Sequence, residues 1–318
     1  MAPRPTILLF SPRRRRLYFR VLLALFALAA PVLFLYATGY RFERLTGLMK
    51  TGGIYVGAEL SGTEIYLGGE LIHETGTFRR AFFIDDLAPA TYTVAVQKAG
   101  YHPWEKTLAV FPHRVTEAQA FNMPQEPVLT LIPRTLTSQS AIATSTRPLP
   151  NPLYEELLAA FAPTAATSTA ANTPTRAALA RRAGTGASTT PSSVLAETAT
   201  TTKTFRGMNL FETKDGIVAR WTREAESVPF YFCRNGGECA SEIALNTLGE
   251  RPAHFDFFPG TADLALVALR SGVYVTELDN RSGQNIQPLF LGPQADFRVI
   301  GGGIYSKTAD AEIYKVEI

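Results

Sequence analysis

With 318 residues, 46% of them hydrophobic, and a formal charge of +3, the chain has room for more than one domain and is too apolar to be disordered throughout. The charge is unevenly placed: residues 1–20 hold six Arg and no acid, leaving residues 21–318 at 3 − 6 = −3. A mildly acidic body without a basic stripe argues against a nucleic-acid partner.

The first element is a membrane span. Val21 to Ala37 carries no charge and is bracketed by Arg13, Arg14, Arg15, Arg16 and Arg20 before it and Arg41 after it. At about 1.5 Å per residue this run covers roughly 26 Å, and Tyr18, Phe19, Thr38, Gly39 and Tyr40 carry it past the ~30 Å of hydrocarbon. A basic arm, residues 1–16, and a span, residues 17–40, make a signal anchor that contacts the lipid bilayer. The Arg block keeps the N-terminus in the cytoplasm and sends the bulk outside. The alternative is a cleaved signal peptide cut near Ala27-Leu28-Ala29-Ala30. It would leave the apolar run Val32 to Ala37 on the mature N-terminus.

Residues 41–50 read as a short stalk. From Thr51 to Pro124, short alternating runs separated by turn residues predict a small all-β domain. The expected strands are Ile54 to Val56, Glu64 to Leu67, Arg79 to Ile84, Thr91 to Lys98, Glu105 to Val110 and Val115 to Phe121. Gly68-Gly69 is a two-residue hairpin signal, because both glycines accept positive φ. The quoted residues carry a resemblance. Gly53-Ile54-Tyr55-Val56, Gly62 to Gly69, Leu87 to Val94 and Lys98-Ala99-Gly100-Tyr101 resemble a PEGA domain, with Leu60-Ser61-Gly62-Thr63 standing where that family has Pro-Glu-Gly-Ala. The resemblance covers residues 53 to about 123. It implies a small β-sandwich in an extracytoplasmic setting, with no catalytic activity.

Residues 125–204 read as a linker with short helices, residues 135–204 being dominated by Thr, Ala, Ser and Pro. Asn151-Pro152 caps one expected helix, with Leu153, Leu157, Leu158 and Phe161 near one face; Thr173 to Gly184 is a weaker second. From 205 to 318 strands return about every ten residues. Candidates are Ile217 to Trp221, Phe230 to Cys233, Ala253 to Phe258, Leu264 to Leu269, Val273 to Leu278, Ile286 to Phe290, Phe297 to Ile300, Ile304 to Ser306 and Ile313 to Ile318. Ala253 to Phe290 resembles one blade of a β-propeller, with residues 209–245 and 296–318 as a second blade and most of a third. That is too few for a closed ring. The expectation is a partial propeller-like stack or a sandwich, or a stack joined by Pro127 to Thr137 as an added strand. The fold class is therefore mainly β behind an N-terminal transmembrane helix.

No catalytic constellation emerges from the spacing. His73, His102, His113 and His254 lack metal-ligand spacing and read as surface or turn residues. Gly301-Gly302-Gly303 leads into a strand and reads as a turn. Asp85-Asp86 reads as a turn pair rather than an acid-base pair, and Asp279 to Gly283 lacks the ligands of a calcium loop. Cys233 and Cys239 flank Asn235-Gly236-Gly237, which predicts a hairpin closed by a disulfide; two free thiols are the alternative. Tyr101 and Trp104 are candidate binding aromatics, with closure of the sandwich core as the competing role. The expectation is a non-catalytic binding or structural protein of the cell envelope, with no cofactor and a protein or glycan partner. A glycan hydrolase with unidentified carboxylates is the alternative.

Overall fold

A computed structural model describes residues 12–43, 47–136, 149–162, 201–223, 227–233 and 239–318. The fold is mainly β, with one N-terminal apolar helix, and the chain divides into two compact units. Unit 1 comprises residues up to Pro124 together with Pro229–Cys239 and Arg281–Asn285. Unit 2 holds the remainder from Gln125 onward.

Unit 1 opens on α1 (Pro12–Ala37), which contains Pro31 and is long and apolar enough to cross a membrane. Thr38 Oγ1 donates to the Phe34 carbonyl at 2.8 Å, and Gly39 (φ +78°) turns the chain. In place of the expected stalk, β1 (Tyr40–Glu43) and β2 (Gly47–Lys50) form an antiparallel hairpin, with Phe42 opposite Leu48. Glycines at 39 and 47, both at positive φ, supply the bends that a straight stalk would not need.

Two sheets follow. In the first, β3 (Gly52–Ala58) lies between β6 (Ala81–Leu87) and β9 (Val115–Ala120), and pairs in parallel with β9. In the second, the order is β5 (Glu70–Glu74), β4 (Glu64–Leu67), β7 (Thr91–Gln97), β8 (Trp104–Ala109). Gly68 and Gly69, at φ +59° and +88°, make the two-residue turn between β4 and β5. Ile54, Val56, Ile65, Ile84, Val94, Val96, Trp104, Leu108, Ala118 and Ala120 are buried. After β9 the buried Asn122 donates to the carbonyls of Val96 and His102 at 3.0 and 2.8 Å, fastening the segment before Pro124. β8 is an edge strand whose backbone is covered within the unit. Thr107 N–H donates to Ser282 Oγ at 3.0 Å, and Asn285 Nδ2 donates to the Glu105 carbonyl at 3.0 Å.

Unit 2 contains three four-stranded antiparallel sheets among its described residues. The first is β13 (Thr202–Phe205), β14 (Met208–Thr213), β15 (Gly216–Trp221) and β16 (Glu242–Ala244). The second is β17 (His254–Phe257), β18 (Leu264–Leu269), β19 (Gly272–Glu277) and β20 (Ile286–Leu291). The third joins β21 (Asp296–Ile300), β22 (Gly303–Lys307) and β23 (Ile313–Glu317) to β10 (Val128–Ile132), in the order β10-β23-β22-β21. The first sheet touches the second through β13 and β17, and β17, β18 and β19 of the second sheet all touch β21 of the third. Every residue of β18 is buried, as its uninterrupted apolar run Leu264 to Leu269 requires of a strand covered on both faces.

Two expectations are corrected here. The segment 125–204 is not linker throughout: β10 pairs with β23, as the alternative of Pro127 to Thr137 as an added strand expects, while β11 (Thr135–Leu136) pairs with β12 (Leu149–Pro150) and β13 begins at Thr202. The chain builds these because Val128 to Ile132 is an aliphatic run that completes a sheet edge. Within the same segment α2 (Pro152–Ala160) starts where Asn151 Oδ1 accepts from Leu153 N–H at 3.1 Å. Tyr154, Leu157 and Phe161 pack with Ile313, and Ile132, Ile300 and Tyr305 lie against them, so α2 covers one face of the third sheet. Finally, Phe230 to Cys233 is not a strand: Phe230–Phe232 is a 3₁₀ turn behind Pro229, a residue that cannot donate to a ladder. The expected second helix, Thr173 to Gly184, lies outside the described residues.

Candidate functional site

Two features concentrate chemistry, one in each unit. In unit 1 it is the outer face of the β6-β3-β9 sheet. Strand alternation turns Ile54 and Val56 inward and Tyr55 outward, and Tyr55 is paired with Phe83 on β6 and Glu117 on β9. Tyr55 and Phe83 are 43% and 44% exposed, and Val115 is exposed beside them. Gly53 makes room for this arrangement. A Cβ there would come within 2.6 Å of Cε2 and Cζ of Phe83, so the ring lies over bare backbone. Gln119 reaches across Gly57 in the same way, its Oε1 2.2 Å from where a Cβ would stand. The result is an aromatic and aliphatic platform rimmed by an amide and the Glu117 carboxylate.

In unit 2 a polar seam follows the first strands. Lys203 on β13 ion-pairs with Asp256 on β17 at 2.8 Å. On β21, Arg298 Nη1 holds both carboxylate oxygens of Asp296 at 2.9 Å. The same Arg298 donates Nε–H to the Ala160 carbonyl at 2.8 Å and stacks on the Phe161 ring at 4.9 Å, tying the seam to α2. His254 sits between these pairs, 5.0 Å from the Phe297 ring, with Nε2 buried and unpartnered. Burial pushes its pKa down from 6.5 to about 4; the Arg298 and Lys203 cations add to the depression, and the Asp296 and Asp256 carboxylates oppose it. Both seam carboxylates are neutralised by a cation at hydrogen-bond distance. The Lys203–Asp256 pair joins the first two sheets, Arg298 joins β21 to α2, and His254 is held neutral between them.

The expected site residues are placed as follows. Trp104 is 0% exposed, inward on β8, and therefore belongs to the core and not to a stacking surface. Tyr101 is half-buried, bridged to Pro124, with Lys98 Nζ 5.0 Å from its ring. The two are not brought together as an exposed pair. Cys233 and Cys239 are joined by a disulfide across an antiparallel bridge. His73 stacks on Phe82 at 4.0 Å, and His113 occupies a turn at φ +55°. His102 is partly buried, and desolvation lowers its pKa. His254 departs from the surface-or-turn reading, being a strand residue with a buried imidazole. Asp86, at φ +58°, takes Arg41 as ion-pair partner at 2.6 Å. Gly301 and Gly302, both at positive φ, make the β21–β22 turn. Among the described residues, no group of three or more His, Cys, Asp or Glu is placed to hold a metal ion.

Sequence reasoning missed Tyr55 and Phe83 as a pair. The one local signal was Gly-x-x-x-Gly at 53 and 57 astride an aromatic, two glycines in a strand being a mark of close approach by another group. Compared with known proteins, the chain matches no family profile, and no curated protein is significantly similar to it.

Proposed function

We propose that the chain is a membrane-anchored, non-catalytic binding protein of the cell envelope, and that its partner is a neutral glycan chain. Residues 17–40 are the anchor, with the Arg-rich arm in the cytoplasm and the remainder outside. Residues 53–123 are taken as a PEGA-like sandwich. The three sheets of unit 2 are taken as an open, propeller-like stack: the first two are four-stranded meanders, and the third is a three-stranded meander completed by β10.

The observation that carries the reading is the Tyr55–Phe83 platform. Pyranose rings present apolar C–H faces that stack on aromatic rings, while Gln119 and Glu117 stand where ring hydroxyls need partners. Glu117 carries the carboxylate of this rim and Arg281 Nη2 donates to its backbone carbonyl at 2.6 Å, so the rim offers no net positive charge to draw an anionic polymer.

Full-length protein in nanodiscs, presented to immobilised neutral and anionic glycans, tests it. Wild type should retain a neutral glycan, and Tyr55→Ala or Phe83→Ala should each weaken retention at least about tenfold, a loss of ~1.4 kcal/mol. Retention of no glycan by wild type, or wild-type retention by both variants, overturns it. Protease accessibility of terminal tags on intact cells tests the topology separately.

A further inference from the structure

We propose that the β1–β2 hairpin is a lipid-seated foot: the face carrying Tyr40, Phe42, Leu48 and Lys50 lies in the headgroup interface beside α1. The inference rests on the anchor reading, and is independent of which side of the bilayer the hairpin occupies.

Alternation places Tyr40 and Phe42 on the same face of β1, and Leu48 and Lys50 opposite them on β2. Phe42 is 80% exposed and Leu48 is 52% exposed, an apolar cross-strand pair bare to the surroundings. A two-stranded hairpin is marginal in water, and a bare Phe–Leu pair does nothing to stabilise it there. The neighbouring groups suit an interface. Lys50 Nζ lies 5.3 Å from the Tyr40 ring, which pairs a cation for lipid phosphate with an aromatic of the kind that populates membrane boundaries.

Chain length supplies the location. α1 ends at Ala37 and β1 begins at Tyr40, with Thr38 and Gly39 between them. Three residues reach at most about 10 Å, while the headgroup layer on each side of the hydrocarbon is roughly 5–8 Å deep. The link is turned and not extended, with Gly39 N–H bonded to the Tyr36 carbonyl at 3.2 Å, so the hairpin starts within that layer. Its opposite face is occupied: Arg41 donates Nη1–H to the Tyr36 carbonyl at 2.8 Å, lies 3.7 Å from the Tyr36 ring centroid and ion-pairs with Asp86. Those bonds fix the hairpin to the end of α1 and leave the Phe42–Leu48 face as the one free to meet lipid. With Thr51 N–H donating to the Gly39 carbonyl at 3.0 Å, the hairpin closes on itself where the first sheet begins.

The test uses full-length protein in vesicles of zwitterionic and anionic phospholipid, with bromine carried at a shallow acyl position. Phe42→Trp is compared with wild type, whose Trp104 and Trp221 supply the background to subtract; Leu48→Trp repeats the reading from the facing strand. The added emission should be blue-shifted and quenched about twofold or more by the shallow bromine, as expected of a group near the headgroup boundary. Added emission that is red-shifted and unquenched in protein that floats with the vesicles overturns the hairpin proposal and leaves the anchor standing. Protein that does not float with vesicles overturns both.

Discussion

Lys203 on β13 reaches across to Asp256 on β17, Nζ 2.8 Å from Oδ2, and so links the first strands of two separate sheets. Asp256 also accepts from the Phe257 N–H through Oδ1 at 2.8 Å, so the carboxylate is fixed before the Lys arrives. Lys203→Met should therefore cost about 1 kcal/mol, the scale of a part-buried pair. A double-mutant cycle with Asp256→Asn, read by chemical denaturation, should return that coupling; additive single effects would show that the pair contributes nothing.

His254 gives the seam a pH dependence. Its pKa is lowered from 6.5 to about 4 in the folded chain, so between those values the unfolded state binds more protons than the native one. Stability falls as pH drops from about 6.5 to about 4 and levels off below, a total of up to ~3 kcal/mol from this group. Denaturation at stepped pH should show this slope in wild type and lose it in His254→Gln.

Trp104 is the largest fully buried side chain of unit 1. Trp104→Ala removes most of an indole from packed surroundings and should cost about 3–5 kcal/mol. Thermal unfolding should shift down, while glycan retention by the protein that remains folded stays unchanged. A variant with wild-type melting and lost retention would return Trp104 to the binding surface.

Gly53→Ala sets its new Cβ 2.6 Å from two Phe83 ring atoms and 2.8 Å from the Ile84 carbonyl oxygen. The ring must move, and overpacking of this kind costs about 1–3 kcal/mol. Both melting temperature and glycan retention should drop together, because one atom disturbs the strand and the platform.

Cys233 and Cys239 close a loop with sequence separation 6. The Cys233→Ser, Cys239→Ser double variant should lose ~2 kcal/mol by the chain-entropy estimate. A nonreducing peptide map of protein from native envelopes should return the two cysteines as one linked peptide. Two free thiols there would refute both the bridge and an oxidising location.

What could be read in the sequence was what is local. Val21 to Ala37 is apolar on every face of a helix, Asn151-Pro152 is a cap, and Leu264 to Leu269 is a strand whichever partners it finds. Partners were another matter. In sequence Tyr55 is one more alternating residue, and only β6 puts Phe83 opposite it; Trp104 suits either a binding surface or the sandwich core, and β8 turns it into the core. His254 carries no spacing signal, because its neighbours Arg298 and Lys203 come from other strands of other sheets. Phe230 to Cys233 misled because aromatic residues favour strands wherever no ladder constraint is visible, and Pro229 removes the ladder.

The β10–β23 pairing sets an order of events during synthesis. Val128 to Ile132 leaves the ribosome early, yet its hydrogen-bonding neighbour, Ile313 to Glu317, is made after every other strand of unit 2. Throughout that interval the aliphatic edge of β10 has no ladder to join, and Leu129 and Leu131 remain well exposed even after it joins one. A pairing between residues so far apart in sequence is slow to form, and an unpaired apolar strand attracts other chains while it waits. The third sheet is thus the last to be completed, and β10 is where a nascent chain that stalls or is overproduced will stick to its neighbours.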